Sequence, residues 1–371
     1  MDSLRFTLAP GWLFLVTLSP AAAAAGPGEF NHAKLAETAR TSFIIPGYRR
    51  FGEQLQTLKT SIVAHCQSPS RSKLEHVRET YRRTITAWGR VEIISFGPIA
   101  EANRFERIFY WPDRKGIGRR QVRRLLAARQ KGVLEPDRLT SKSVAVQGLS
   151  ALKLMLYGAD SDDFATGKDG GFACLYASAV AHNLSRIIAK ILEGWQHDGA
   201  FAKLWRSPGP ENVAYLKPNE MTLELVKALD HGLENLRDRR IAPVLGFGAN
   251  RRRKSRPVLW RSKLSMVLIS ANIAGLRDLL FEGGLARAYV DSKPYQDERA
   301  QGYMLSIKRD FKMLFDRSER LAREPDPLAR RDVASRLVPI GFPLKSIRHR
   351  AVSEIKTAAG LSIGFNAADG D

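Results

Sequence analysis

The feature that most constrains this chain is a hydrophobic period of three to four residues that returns in segment after segment. From Lys73 onward, Leu74, Val77, Tyr81, Ile85, Trp88 and Val91 fall on one stripe, while Lys73, Glu75, Arg78, Glu79 and Arg82 take the opposite face. A helix turns once in about 3.6 residues, so this spacing predicts an amphipathic helix with one buried side. It must end near Phe96-Gly97-Pro98, where glycine and proline both break helices. The same period returns at Val180, Leu184, Ile187, Ile188, Ile191 and Trp195, and again at Leu225, Leu229, Leu233 and Leu236. Two further stripes run through Leu264, Leu268, Ile269, Ile273, Leu276 and Leu280, and through Met304, Ile307, Phe311, Leu314 and Leu321. Alternating, strand-like runs are short and rare. The pattern predicts an all-α chain of antiparallel helices packed in bundles, with few or no strands.

The punctuation divides the chain. Loop-forming Gly, Pro, Asp and Asn gather at Asp160–Gly171, Ser207–Pro218, Pro243–Pro257 and Glu324–Asp326. A length of 371 residues has room for two domains of about 100–200 residues each. Ser207-Pro208-Gly209-Pro210 is the candidate boundary between an N-terminal bundle, 26–206, and a C-terminal bundle, 207–360. Residues 361–371 read as a frayed tail.

The first residues read as an export signal. Arg5 precedes an apolar run from Leu8 to Leu18, Pro20 breaks it, and Ala21 to Ala25 supply small residues for cleavage. The run is shorter than the roughly 20 residues needed to span a bilayer. Residues 1–25 are therefore expected to be a signal peptide, with the mature chain starting at Gly26. An exported chain permits a disulfide between Cys66 and Cys174, which would close a loop of about 100 residues; two buried thiols are the alternative. No C-x-x-C is present, which excludes a structural zinc site of cysteines.

Charge is the strongest compositional oddity. Lys and Arg number 59 against 38 acids, a formal net charge of +21. Arg114 to Lys131 holds eight basic residues and no acid, and Arg251 to Lys263 holds seven and no acid. Such a field attracts polyanions. For an exported chain it favours acidic lipid headgroups or glycans over nucleic acid, and a solvated basic surface is the plain alternative. Tyr110, Trp111 and Trp260 lie among the arginines, so a groove for acidic groups is conceivable beside simple helix-end packing.

The most informative stretch is Val146-Gln147-Gly148-Leu149-Ser150-Ala151-Leu152-Lys153-Leu154-Met155-Leu156-Tyr157-Gly158. With Ala87-Trp88-Gly89-Arg90-Val91-Glu92, Phe96-Gly97-Pro98, Phe109-Tyr110-Trp111-Pro112-Asp113, Gly116-x-Gly118, the helix from Cys174 to Trp195, and Trp260-Arg261-Ser262, it resembles the imelysin family, also classed as peptidases. The resemblance runs from about Phe43 to Leu321. It implies a periplasmic or membrane-associated protein of two packed helical-bundle domains, linked to iron-regulated uptake. The family's signature, Gly-x-His-x-x-Glu, is taken as a metal or catalytic site, since His and Glu three residues apart share a helix face and can ligate one cation.

This sequence departs at the decisive positions. Gly148 matches, but Ser150 stands at the His position and Lys153 at the Glu position. A hydroxyl is a poor ligand for iron or zinc, and an ammonium repels a cation. No metal is expected at this site, no cofactor is predicted, and Lys153 in a pocket would attract a carboxylate or phosphate instead. Ser150-Ala151-Leu152-Lys153 also spells S-x-x-K, yet the partner motifs Ser-Asp-Asn and Lys-Thr-Gly are absent.

The histidines add little. His76 and Glu79 lie on a charged face, His182 is expected in the core beside the stripe ending at Trp195, and the others show no ligand spacing.

Three readings stand. The favoured one is a non-catalytic imelysin-like envelope protein that binds an anionic ligand or partner, with Gly148, Ser150, Lys153, Trp88, Glu92, Trp111 and Arg261 as the candidate site. The second is a metal-dependent peptidase using other ligands, Glu92 or Asp113 brought near Ser150, with iron or zinc as the cation. The third is a binder of acidic lipid or glycan that uses the two basic clusters.

Overall fold

The structure, a computed structural model, describes residues 28–113, 115–158, 161–167, 171–246, 256–293 and 297–361. The expected signal peptide, Arg114 and the Arg251–Ser255 part of the second basic cluster lie outside the described residues. So does the 362–371 part of the expected tail.

Among the described residues there are helices and no strands. In chain order they are α1 (His32–Thr38), α2 (Ile45–Gln67), α3 (Arg71–Val91), α4 (Arg104–Ile108), α5 (Ile117–Ala128), α6 (Pro136–Thr140), α7 (Gly148–Tyr157) and α8 (Ser161–Thr166). Then follow α9 (Phe172–Trp195), α10 (Ala200–Arg206), α11 (Pro218–Glu234), α12 (Ala242–Leu245), α13 (Ser265–Phe281), α14 (Leu285–Asp291), α15 (Glu298–Ala322) and α16 (Val333–Ala358). Two π-helical turns, Ala39–Ile44 and Asn235–Ile241, lead into α2 and α12. Each is followed within two residues by a proline, Pro46 or Pro243, which cannot donate to a helical ladder. None of the helices is long and apolar enough to cross a membrane.

The predicted stripes become the core. Leu74, Val77, Tyr81, Ile85, Trp88 and Val91 of α3 are all buried, as are Val180, Leu184, Ile188, Ile191 and Trp195 of α9. α2 packs between α3 and α9, α13 packs on α3 and α15, and α11 packs on α16. Helices from either side of residue 207 touch directly. The Gly89 position of α3 approaches Ala271 and Leu268 of α13, and Gly275 of α13 lies against the Arg90 backbone. α3 starts at Ser70, whose hydroxyl accepts the Lys73 N–H at 3.2 Å, a side-chain cap of the usual kind.

Three features depart from the sequence reading. α3 stops at Val91, before the expected Phe96-Gly97-Pro98 break, and a short 3₁₀ turn occupies Gly97–Ile99. The periodic stripes end at Leu321, yet α16 is among the longest helices and carries Pro339 and Pro343 in its interior. Each interior proline costs about 3 kcal/mol. Burial of Leu337, Ile340, Leu344, Ile347 and Ile355 along one face, at about 1.5–3 kcal/mol each, outweighs it. His182 is exposed rather than in the core: it sits one position from Asn183, which takes the inward-facing place.

Cys66, near the end of α2, and Cys174, in the first turn of α9, are joined by a disulfide with Cα atoms 5.6 Å apart. The open choice between bridge and thiols thus resolves to the bridge, which ties α2 to α9.

Candidate functional site

The helix carrying the motif residues is held at both ends by side chains from α3, α4 and α9. Tyr81 Oη donates to the Leu149 carbonyl at 2.9 Å and Tyr176 Oη to the Val146 carbonyl at 2.6 Å. Gln147 is wholly buried; its amide donates to the Lys142 carbonyl, and its oxygen accepts from Asn183 Nδ2 at 2.8 Å. At the far end the Arg78 guanidinium donates to the Leu156 carbonyl and lies over the Tyr157 ring. These anchors satisfy buried carbonyls and fix the rotation of α7 about its axis.

Gly148 has a structural role. Its φ is +73°, and a Cβ there would meet the Arg107 and Ile108 carbonyl oxygens at 2.2 and 2.4 Å. Only glycine allows α7 to start this close to the end of α4. Two residues on, Ser150 is buried and its hydroxyl donates to the Tyr110 carbonyl at 2.9 Å. The Ser150 hydroxyl is therefore spent on holding the Phe109–Asp113 segment against α7.

Lys153 points to the other feature of the site. Its ammonium makes no hydrogen bond or ion pair with any described residue. Burial, reinforced by the Arg261 guanidinium and opposed by Asp113, brings its pKa down to about 8. Arg261 lies over the Trp260 ring at 4.3 Å, and Arg256 approaches the same ring at 4.3 Å. Burial and the neighbouring Arg119 and Arg256 lower the pKa of Arg261 in turn. A small cavity of about 50 Å³ opens here, lined by Arg119, Arg123 and Arg261 on its polar side and by Val122, Leu126 and Leu154 on its apolar side. The acid facing these cations is Asp113. Its Oδ2 accepts the Arg119 backbone N–H at 3.3 Å at the start of α5, while its Oδ1 is buried without a partner. A larger hollow of about 710 Å³, between Pro210–Leu216 and the first turns of α11, shares no residue with this cavity.

The structure brings Ser150, Lys153 and Arg261 into one neighbourhood but disperses the other candidates. Trp88 is fully buried, its ring packed on Phe51 and Phe105, and belongs to the core. Glu92 is enclosed in an ion pair. Its Oε1 accepts from Arg240 Nη2 at 2.5 Å and its Oε2 from Asn272 Nδ2 at 3.1 Å. Trp111 lies under the Arg240 guanidinium at 5.3 Å, and Arg240 also donates to Asn272 at 2.6 Å. Glu92 and Trp111 thus meet through Arg240, a residue of the second π-helical turn that the sequence did not single out. Arg119 and Arg256 were legible only as members of basic runs; the fold makes them neighbours of Arg261.

These residues do not fit a metal ion at the motif. Ser150 is committed to a carbonyl, Lys153 and Arg261 are cationic, and Glu92 is neutralised by Arg240. Among the described residues no group of three His, Cys, Asp or Glu side chains is placed to hold a cation.

Comparison with known proteins gives the same family as the motif. A structure of an imelysin-like protein from Psychrobacter arcticum 273-4 aligns with a TM-score of 0.72 at 18% identity, covering 90% of this chain and 97% of the other. A protein from Parabacteroides distasonis ATCC 8503, described as an iron-regulated protein A precursor, aligns with a TM-score of 0.63 at 13% identity, covering 91% and 98%. At such identities these likenesses establish a shared fold. No curated protein matches significantly. The family model for imelysin, of the peptidase M75 group, matches residues 44–329, most of the length of the sequence. The chain belongs to the imelysin family.

Proposed function

We propose that this protein is a non-catalytic member of its family that binds an anionic ligand or partner at the pocket formed by α5, α7 and the Trp260-Arg261 turn. The observation that carries the reading is the placement of Lys153: a largely buried ammonium without a hydrogen-bonding partner among the described residues, beside Arg261 on α7. An unpaired cation held among like charges costs free energy, and a bound anion offsets that cost. The peptidase alternative needs replacement ligands; Glu92 is bound to Arg240, and Asp113 stands alone among cations.

The setting we propose is the periplasm, reached by the leader at residues 1–25, in a process linked to iron or metal uptake. One relative in fold is described as iron-regulated, which lends support to that setting. Contact with a membrane surface is a compatible role for the exposed Arg119, Arg120, Arg123 and Arg124 of α5 and for Trp260.

The test is calorimetric titration of the purified protein with ferrous iron, with zinc, and with a panel of carboxylates and oxyanions at low ionic strength. Anion binding that is lost in Lys153→Met, without stoichiometric metal, is the expected result. Tight metal binding with cleavage of an unfolded protein substrate would overturn the reading.

A further inference from the structure

The loop between α10 and α11 is firmly built. Asn212 is buried and spends its whole amide on the loop: Nδ2 donates to the Leu204 and Ser207 carbonyls at 2.7 and 2.9 Å, and Oδ1 accepts the Ala214 and Tyr215 N–H groups at 2.8 and 2.9 Å. The Tyr215 ring meets Phe201 and Trp205 edge to face, with centroids 6.2 and 5.5 Å away. Yet this anchored loop holds Val213 out at 92% exposure and Leu216 at 60%. Val213 is the most exposed large apolar side chain among the described residues. Apolar side chains held together at a hollow, rather than scattered singly, mark a contact surface.

The hollow of about 710 Å³ that these side chains line is acidic. Glu211, Glu220 and Glu224 line it and, among the described residues, no basic side chain does, in a chain whose net charge is +21. Glu211 has no ion-pair partner among the described residues. Glu220 caps α11 with Oε2, which accepts the Leu216 and Lys217 N–H groups at 2.7 and 3.4 Å, and its Oε1 has no partner among the described residues. Glu224 reaches only the exposed Lys227 ammonium, at 3.5 Å. Tyr215 is 7% exposed and also lines the hollow, and its hydroxyl makes no hydrogen bond with a described residue. Burial, then Glu224 and Glu220, raise that phenol above its ordinary range, which places it within the field of the carboxylates. Three negative charges and an unpartnered hydroxyl thus line one space of the size that a drug-sized molecule or a short peptide segment occupies.

An occupant must answer both the acidic and the apolar side. An ammonium or guanidinium donates to carboxylates and to a phenol oxygen. A small polyamine does this much and leaves Val213 and Leu216 in water. A peptide segment with an apolar residue beside a lysine or arginine answers both. We infer that the hollow between Pro210–Leu216 and the first turns of α11 is a docking site for a short basic and apolar segment of a partner protein. The partner's cation sits among Glu211, Glu224 and the Tyr215 hydroxyl, and its apolar side chains cover Val213 and Leu216. The hollow shares no residue with the cavity beside α7, so its occupancy is independent of the anion site.

The experiment pans a phage-displayed library of random seven-residue peptides on the full chain, then measures the recovered sequences as labelled synthetic peptides by fluorescence anisotropy. A strongly basic surface by itself selects acidic peptides, so recovery of sequences that combine lysine or arginine with apolar residues is diagnostic, and it is the expected result. Their affinity should fall about tenfold in Glu211→Gln and in Glu224→Gln, each of which removes a charge-assisted contact. It should fall about threefold or more in Val213→Ser. Glu211 and Val213 are exposed, so neither change puts folding at risk. Recovery of acidic peptides alone, of no peptide, or of basic peptides whose binding is unchanged in all three variants overturns the inference. Spermidine binding that depends on Glu211 and Glu224, with no basic peptide recovered, would identify a site for a free amine and overturn the assignment to a partner segment.

Discussion

Ser150 donates its hydroxyl to the carbonyl of Tyr110 at 2.9 Å. The bond joins α7 to the segment bearing Trp111 and Asp113, so this hydroxyl acts as a fastener between them. Ser150→Ala should then cost about 1 kcal/mol of stability, the usual worth of a buried neutral hydrogen bond. Anion affinity should stay unchanged. Urea unfolding together with the anion titration separates this from a direct role, which would abolish binding at unchanged stability.

Lys153 makes stability depend on pH in a defined direction. Its pKa is 10.5 when unfolded and about 8 when folded. The unfolded chain therefore binds more protons between those values, and stability rises with pH across that window. Below about 8 the lysine is charged in both states and its burial penalty is fully present; above 10.5 it is neutral in both and the penalty is gone. The penalty amounts to about 3 kcal/mol. Lys153→Met should be more stable than the parent at pH 7, with the gap narrowing as pH rises from about 8 toward 10.5; a constant gap would sink the assignment. Chemical denaturation at several pH values reads this directly.

The pair Glu92–Arg240 offers a second measurement. Both side chains are under a tenth exposed and bridge α3 to the second π-helical turn. Glu92→Ala leaves a buried guanidinium with only Asn272 to answer it and should cost about 3–5 kcal/mol. Replacing both residues with leucine should cost much less, because no unpaired charge is left behind. If the single change were nearly silent in a denaturant titration, the pair would not be the closed unit described above.

Gly148→Ala should be among the most damaging single substitutions in the chain. A methyl group there meets two backbone carbonyls, and φ is positive. A strained backbone alone costs about 1–3 kcal/mol, and the overlap adds to it. Thermal melting would show the loss; an alanine variant with parental stability would contradict the close approach of α4 and α7.

The disulfide between Cys66 and Cys174 closes a span of 108 residues. Its removal by paired Cys→Ser changes should lower stability by about 2–4 kcal/mol, since the unfolded chain regains the freedom the link denies it. Reduction with dithiothreitol should have no effect on that double variant while lowering the melting temperature of the parent.

The sequence by itself determined the helical class, the buried stripes of α3, α9, α13 and α15, and the family. Each of these is written in local spacing: a stripe of Leu, Ile and Trp at helical period has one low-energy way to leave water. The resemblance also led to the expectation that Ser150 and Lys153 stand where the family's motif has His and Glu. Tertiary structure decided the rest. Pro339 and Pro343 look like breaks until one sees the apolar face of α16 buried against α11 and α15. Trp88 and Glu92 looked like site residues from their motif, and packing turned one into core and the other into half of an ion pair. Lys153 and Arg261 are far apart in sequence; only the packing of α7 against the Trp260-Arg261 turn brings their charges together. Charge convergence depends on distance in space, and a one-dimensional pattern does not contain that distance.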